Sequence, residues 1–180
     1  VIDIVVHGEY STPYKQQQKQ VVNMITPEQH EILLKGINPS RIAQRQGGGG
    51  RSLSYLEAWD VKAHLNRIFG FLGWSADVTE SQLAFESENN GKWNVGYKVA
   101  LRLSVGGDFA YATYTEAAVG SATLPQRGEA HDMAIKTAES DALKRAAINL
   151  GDQFGLSLYN NGSTTPVVVK TLVAPEATSE

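Results

Sequence analysis

Three groups of side chains have the types and spacing to do chemistry. Between Glu31 and Glu57 there is no acidic residue, yet Lys35, Arg41, Arg45 and Arg51 fall there, around the run Gly47 to Gly50. Further on, Lys136, Ser140 and Lys144 recur at four-residue steps and Arg145 adjoins the last, which on a helix makes a cationic stripe. Both groups suit phosphate: arginine forms paired bonds to its oxygens and lysine supplies a point charge. The third group is Asp132, Glu139 and Asp141 beside Lys144, the residue types of a metal-dependent nuclease.

Each group also has a plainer reading. The basic segment can be a solvated loop whose cations find acidic partners elsewhere in the fold. Asp141 can reach both Lys144 and Arg145, and such surface pairs contribute only about 0.3–0.5 kcal/mol each. The three carboxylates point in different directions round a helix of about 3.6 residues per turn, so solvated or paired charges describe them better than a metal site. Gly47 to Ser52 offers Arg51 where a phosphate loop needs lysine, and the preceding glycine spacing is wrong for an ATPase. His7, His30, His64 and His131 are scattered without a zinc-ligand spacing. Trp59, Trp74 and Trp93 read as core or subunit-contact residues.

The 180 residues are 42% hydrophobic, enough for one domain with one core, and carry a formal net charge of -3. That balance excludes a protein that coats nucleic acid simply by being basic; the distribution of charge has to carry any such function. Absence of cysteine excludes disulfides, thiol catalysis and Cys-ligated zinc. No apolar run approaches the roughly 18 residues of a membrane span, and residues 1 to 24 lack the order of a signal peptide. A soluble intracellular protein is expected.

Elements must bring the cationic groups together. Residues 1 to 24 read as an arm. Thr26, Pro27 and Glu28 announce a helix over 27–36 that Gly36 ends. Ile42 to Gln46 and Ser52 to Tyr55 pair as two short strands across the glycine run. Ser54 to Glu57 has the spacing of a capping box, and Ala58, Val61, Leu65, Ile68, Phe69 and Leu72 follow at helical period, so a helix is expected to about Phe69. Trp74 to Glu86, Trp93 to Ser104 and Phe109 to Val119 form an antiparallel meander, separated by turn residues at Asn89-Asn90-Gly91-Lys92 and Gly106-Gly107-Asp108. A long helix from about Glu129 to Leu150 repeats Ala134, Ala138, Ala142 and Ala146 every four residues. This stripe must pack on the open face of the meander. Beyond Tyr159 the chain reads as a flexible tail, residues 160 to 180, so the working domain is 25 to 159.

Two ordered blocks add a resemblance. The first is Arg45-Gln46-Gly47-Gly48-Gly49-Gly50-Arg51, leading to Ser54-Tyr55-Leu56-Glu57 and Phe69-Gly70-Phe71-Leu72-Gly73-Trp74. The second is Ala138-Glu139-Ser140-Asp141-Ala142-Leu143-Lys144-Arg145-Ala146, followed by Asn149-Leu150-Gly151 and Phe154-Gly155. Over about residues 25 to 158 the chain resembles Rad52-type single-strand annealing proteins, recombination mediators of viral or cellular origin. The resemblance implies an α+β fold with a βββα core, assembled head to tail into a ring with single-stranded DNA in an outer groove. It maps the groove's residues onto Arg45, Tyr55, Lys144 and Arg145. Arg51, Lys92, Arg127 and Lys136 are basic residues available for further contacts, including to a second strand. One basic position of that pattern is missing, because Ile148 occupies it. Tyr55 can stack on a base, buttress the groove, or simply be a half-buried aromatic at a helix start.

The function so implied is ATP-independent annealing of complementary strands in homologous recombination and double-strand break repair. It needs no catalytic residue, metal or cofactor. Its partners would be single-stranded DNA, other copies of the chain, and an exonuclease, single-strand-binding protein or recombinase, in the cytoplasm or nucleoid of a bacterial or phage system or in the nucleus of a eukaryotic one. A metal-dependent nuclease and a structural ring without nucleic-acid binding are the alternatives.

Overall fold

The structure, a computed structural model, describes residues 25–107 and 110–172; the expected arm lies outside them. Helix α1 (Pro27–Leu33) opens on a capping box: the Thr26 hydroxyl accepts from the Gln29 amide, and the Gln29 side chain accepts from the Thr26 amide. Strands β1 (Ala43–Gln46) and β2 (Ser52–Tyr55) pair antiparallel across the glycine run. Helix α2 (Ala58–Phe69) follows, then β3 (Trp74–Asn89), β4 (Lys92–Gly107), β5 (Ala110–Leu124) and the long helix α3 (Arg127–Ile148). The order β3-β4-β5 is antiparallel throughout, and this is the expected α+β architecture of a meander backed by a helix.

Periodicity explains the layers. On β4, Val95, Val99, Leu101, Leu103 and Val105 alternate onto one buried face. Against it α3 lays Ala130, Ala134, Ala138, Ala142 and Ala146, one residue every four, each fully buried. Alanine lets the helix come close, and Gly120 of β5 lets it come closer: a Cβ built on Gly120 would sit 2.2 Å from the Ala138 amide nitrogen. Helix α2 covers one end of this core with Val61, Leu65 and Ile68. The β3–β4 turn is the two-residue kind that needs positive φ twice, met by Asn90 at 51° and Gly91 at 71°.

Several boundaries differ from the sequence reading. Ser54 does not cap α2, because it belongs to β2; Glu57 is the N-cap residue, and its side chain makes no capping bond. Leu72 is exposed rather than part of the buried stripe, since Gly70 ends α2 and turns the chain. Strand β5 continues past Val119, where the sequence reading ended it, to Leu124, and Gly120 within it is where helix and sheet meet. Beyond Tyr159, the described part of the expected tail is mostly exposed and touches the rest of the fold at a few points. The amides of Val167 and Val168 both donate to the buried Asp152 carboxylate, and the ring of Pro166 packs over Gly36.

Candidate nucleic-acid interface

One cleft gathers residues that are far apart in the sequence. It has a volume of about 620 Å³ and is lined by the β1–β2 hairpin, the C-terminal half of α3, the edge of β5 and the turn at Phe154 to Tyr159. Register explains the hairpin's contribution: Ala43 pairs with Tyr55 and Arg45 with Leu53, so Arg45 and Tyr55 are diagonal neighbours on one face. The Arg45 guanidinium lies over the Tyr55 ring, 5.5 Å from its centroid. From α3, the Lys144 ammonium approaches the same ring, also at 5.5 Å. Tyr55 therefore ties the hairpin to the helix, and Arg145 lines the cleft one residue further along.

Charge pairing shapes this cleft. Lys144 is 2.7 Å from Asp141, and Arg145 is 3.4 Å from Glu116 of β5. Among the described residues no carboxylate lies within ion-pair distance of Arg45, which is exposed. The Tyr55 hydroxyl donates to Glu57 at 2.8 Å, and that bond, more than partial burial, holds the phenol above its ordinary pKa. Ile148 forms part of the cleft wall, so the position where the familiar basic residue is missing does face the site.

The remaining expected contacts lie outside the cleft. Arg51 is exposed beside the glycine turn, where its carbonyl accepts from the Gly47 amide. Lys136 is exposed and paired with Asp132 at 2.6 Å. Lys92 sits exposed at the tip of the β3–β4 turn. Near it, Arg127 lies over the Trp93 ring at 4.9 Å and pairs with Glu86, whose carboxylate is thereby held below its usual range. Arg41, counted with the basic segment, is half-buried and donates to Asp60 at 2.8 Å and to the Gln153 carbonyl. It belongs to the core and offers nothing to a ligand.

Sequence reasoning missed two residues. Lys98 of β4 lines the cleft and pairs with Glu80 at 3.4 Å; a lone lysine in a strand gave no signal. Glu57 carried a signal that pointed elsewhere, as a capping-box residue. For the nuclease alternative, Asp132 and Asp141 are each paired with a lysine of their own helix, and among the described residues no three His, Asp or Glu side chains gather as metal ligands.

The fold and the cleft define a class: a small α+β domain in which a strand hairpin and a long helix present arginine, lysine and tyrosine together at one surface. Residues 26–175 match the Rad52/22 family of double-strand break repair proteins, and the chain belongs to that family. It is 30% identical over 156 residues to the DNA repair and recombination protein rad22 of Schizosaccharomyces pombe, covering 85% of this chain and 31% of that protein. It is 34% identical to rti1 of the same yeast, over 72% of this chain and 35% of that one. With RAD52 of Saccharomyces cerevisiae it shares 33% identity over 70% of this chain and 26% of the relative. The chain thus spans about a third of the length of the curated relatives it matches.

Proposed function

We propose that this domain binds single-stranded DNA in the Tyr55 cleft and promotes ATP-independent annealing of complementary strands, in homologous recombination and double-strand break repair. One observation carries the reading: in a chain of net charge -3, folding brings Arg45, Tyr55, Lys144 and Arg145 from three separate elements into one cleft. Cations there neutralise phosphates and release counterions, giving affinity without sequence preference. If the backbone is gripped and base edges stay outward, a second strand can test pairing directly. Annealing then runs downhill, since DNA stacking contributes on average about 1.4 kcal/mol per step. No hydrolysis is needed.

Self-association into a ring belongs to the same proposal. Strand β3 is a sheet edge of 16 residues, exposed along nearly all its length, with Val78, Leu83 and Phe85 more than 40% exposed. Such an edge is a template for another chain. A ring would repeat the cleft around its circumference and multiply weak contacts.

Fluorescence anisotropy of a labelled oligonucleotide across a salt series, with and without EDTA, tests binding. Three engaged cations predict a log-log salt slope near roughly -2 per subunit. Absence of binding at low salt sinks the reading; Mg-dependent cleavage of the strand would favour the nuclease. Electron microscopy of the purified protein tests the ring, and a monomer at micromolar concentration would count against it.

A further inference from the structure

Glu57 is an anomaly in both of its settings. It occupies the N-cap of α2 yet does not cap it, and it places a negative charge beside a cleft proposed to hold phosphate. Its carboxylate instead accepts a hydrogen bond from Tyr55 at 2.8 Å, two residues upstream. Leu56 between them is buried at 5% exposure, so the backbone linking the pair is anchored in the core. The same ring carries Arg45 and Lys144, each 5.5 Å from its centroid.

We infer that Glu57 is a positioning residue of the cleft: by accepting the Tyr55 hydroxyl proton it fixes the ring that holds Arg45 and Lys144 at their working separation. This inference rests on the single-stranded DNA reading above. Two physical effects act together. A ring tethered at its hydroxyl end loses the freedom to swing away, so the two cations keep a common platform. A phenol donating to a carboxylate also shifts electron density onto its oxygen and ring, which strengthens the attraction of the ring face for cations. Tyr55 is then committed to its cations and acts as a buttress, the second of the three roles its sequence context allowed.

Electrostatics and positioning predict opposite signs, which makes the test sharp. If Glu57 acted only as a charge, removing it by either Glu57→Gln or Glu57→Ala would tighten binding of oligo(dT) by the full chain. If it positions Tyr55, Glu57→Gln keeps an acceptor and binds at least as tightly as wild type. Glu57→Ala then binds more weakly by at least about threefold, the size of one net hydrogen bond, even though a like charge has gone. Tyr55→Phe removes the same bond from the other end and should lose a similar factor, and the double variant should lose no more than the worse single one. Glu57→Ala binding as tightly as wild type, or losses that add in the double variant, overturns the inference. Should Glu57→Ala unfold early, through its place at the start of α2, the other two variants decide. Gln matching wild type while Phe loses supports positioning; both unchanged overturns it. A wild-type chain that binds no oligonucleotide sinks the underlying reading and this one with it, whereas the sign test sinks this one alone.

Discussion

Gly120→Ala tests the closest approach in the fold. The added Cβ would lie 2.2 Å from the Ala138 nitrogen, 2.6 Å from the Ala134 carbonyl oxygen and 2.8 Å from the Ala138 Cα. All three are backbone atoms of α3, so no side chain can rotate aside. Restoring an ordinary contact of about 3.5 Å requires the helix to retreat by roughly 1.3 Å, opening gaps along the stripe of buried alanines. Overpacking of this kind costs about 1–3 kcal/mol, and an immovable backbone puts the site at the upper end. Replacing glycine in a strand returns about 0.5–1 kcal/mol, leaving a net loss of about 2 kcal/mol. For a chain of this size that is a fall of roughly 4–8 °C in melting temperature.

Gly128→Ala is the matched control. Gly128 lies in the first turn of the same helix, and a Cβ there meets nothing within 4 Å. It should stabilise slightly, by up to about 0.5 kcal/mol. Urea unfolding followed by circular dichroism, at fixed protein concentration so that assembly does not shift the midpoint, measures both. A Gly120→Ala protein within about 0.5 kcal/mol of wild type would refute the packing argument, because the helix would then have room that its backbone positions deny.

Other outcomes follow from the pairing pattern and the buried polar groups. Asp141→Asn releases Lys144 from its 2.7 Å partner and should tighten oligonucleotide binding, while Arg45→Ala should weaken it and flatten the salt slope by roughly 0.7. A slope unchanged by Arg45→Ala would remove that residue from the site. Arg41→Ala strands the Asp60 carboxylate, which is 4% exposed, and should cost about 3–5 kcal/mol in urea unfolding; a loss below about 1 kcal/mol would mean that water already reaches Asp60. Burial, reinforced by the nearby Arg41 charge, holds His64 below its ordinary pKa of 6.5. The native ring stays neutral while the unfolded chain takes up a proton below that value, so stability falls as pH drops through 6.5. His64→Gln should flatten the difference between urea midpoints at about pH 7.5 and 5.5; the same fall in both proteins would rule His64 out as its source.

Elements were legible where one face repeats. The four-residue alanine period located α3 and the turn residues on either side located β4, whose Val99, Leu101, Leu103 and Val105 alternate onto the buried face, because each pattern is set by a single partner surface. The end of β5 was not legible. Gly120 reads as a breaker along its own strand, and its reason lies across the layer in the backbone of α3. The same distinction applies in the site. Lys144 and Arg145 were visible as a helical cluster, and Arg45 as a charge in an acid-free segment. Nothing local separated Arg45, which reaches the cleft, from Arg41, which the fold commits to Asp60.

Pairing geometry, rather than net charge, decides what this cleft can hold. Lys144, Arg145 and Lys98 each stand within ion-pair distance of a carboxylate, and only Arg45 among the cleft cations has none among the described residues. A phosphate arriving at Arg45 meets an exposed guanidinium, whereas at the other three it competes with a partner already in place. Ion pairs open to solvent, as at Lys98 and Arg145, are worth no more than about 1 kcal/mol, so a phosphate can displace those carboxylates. The half-buried Lys144–Asp141 pair resists more, and each displacement subtracts from the gain. One cleft should therefore hold DNA weakly, and repetition around an assembly would be what makes the interaction strong. That is also the condition annealing needs, since a strand gripped by many weak contacts can still shift its register while it searches for its complement.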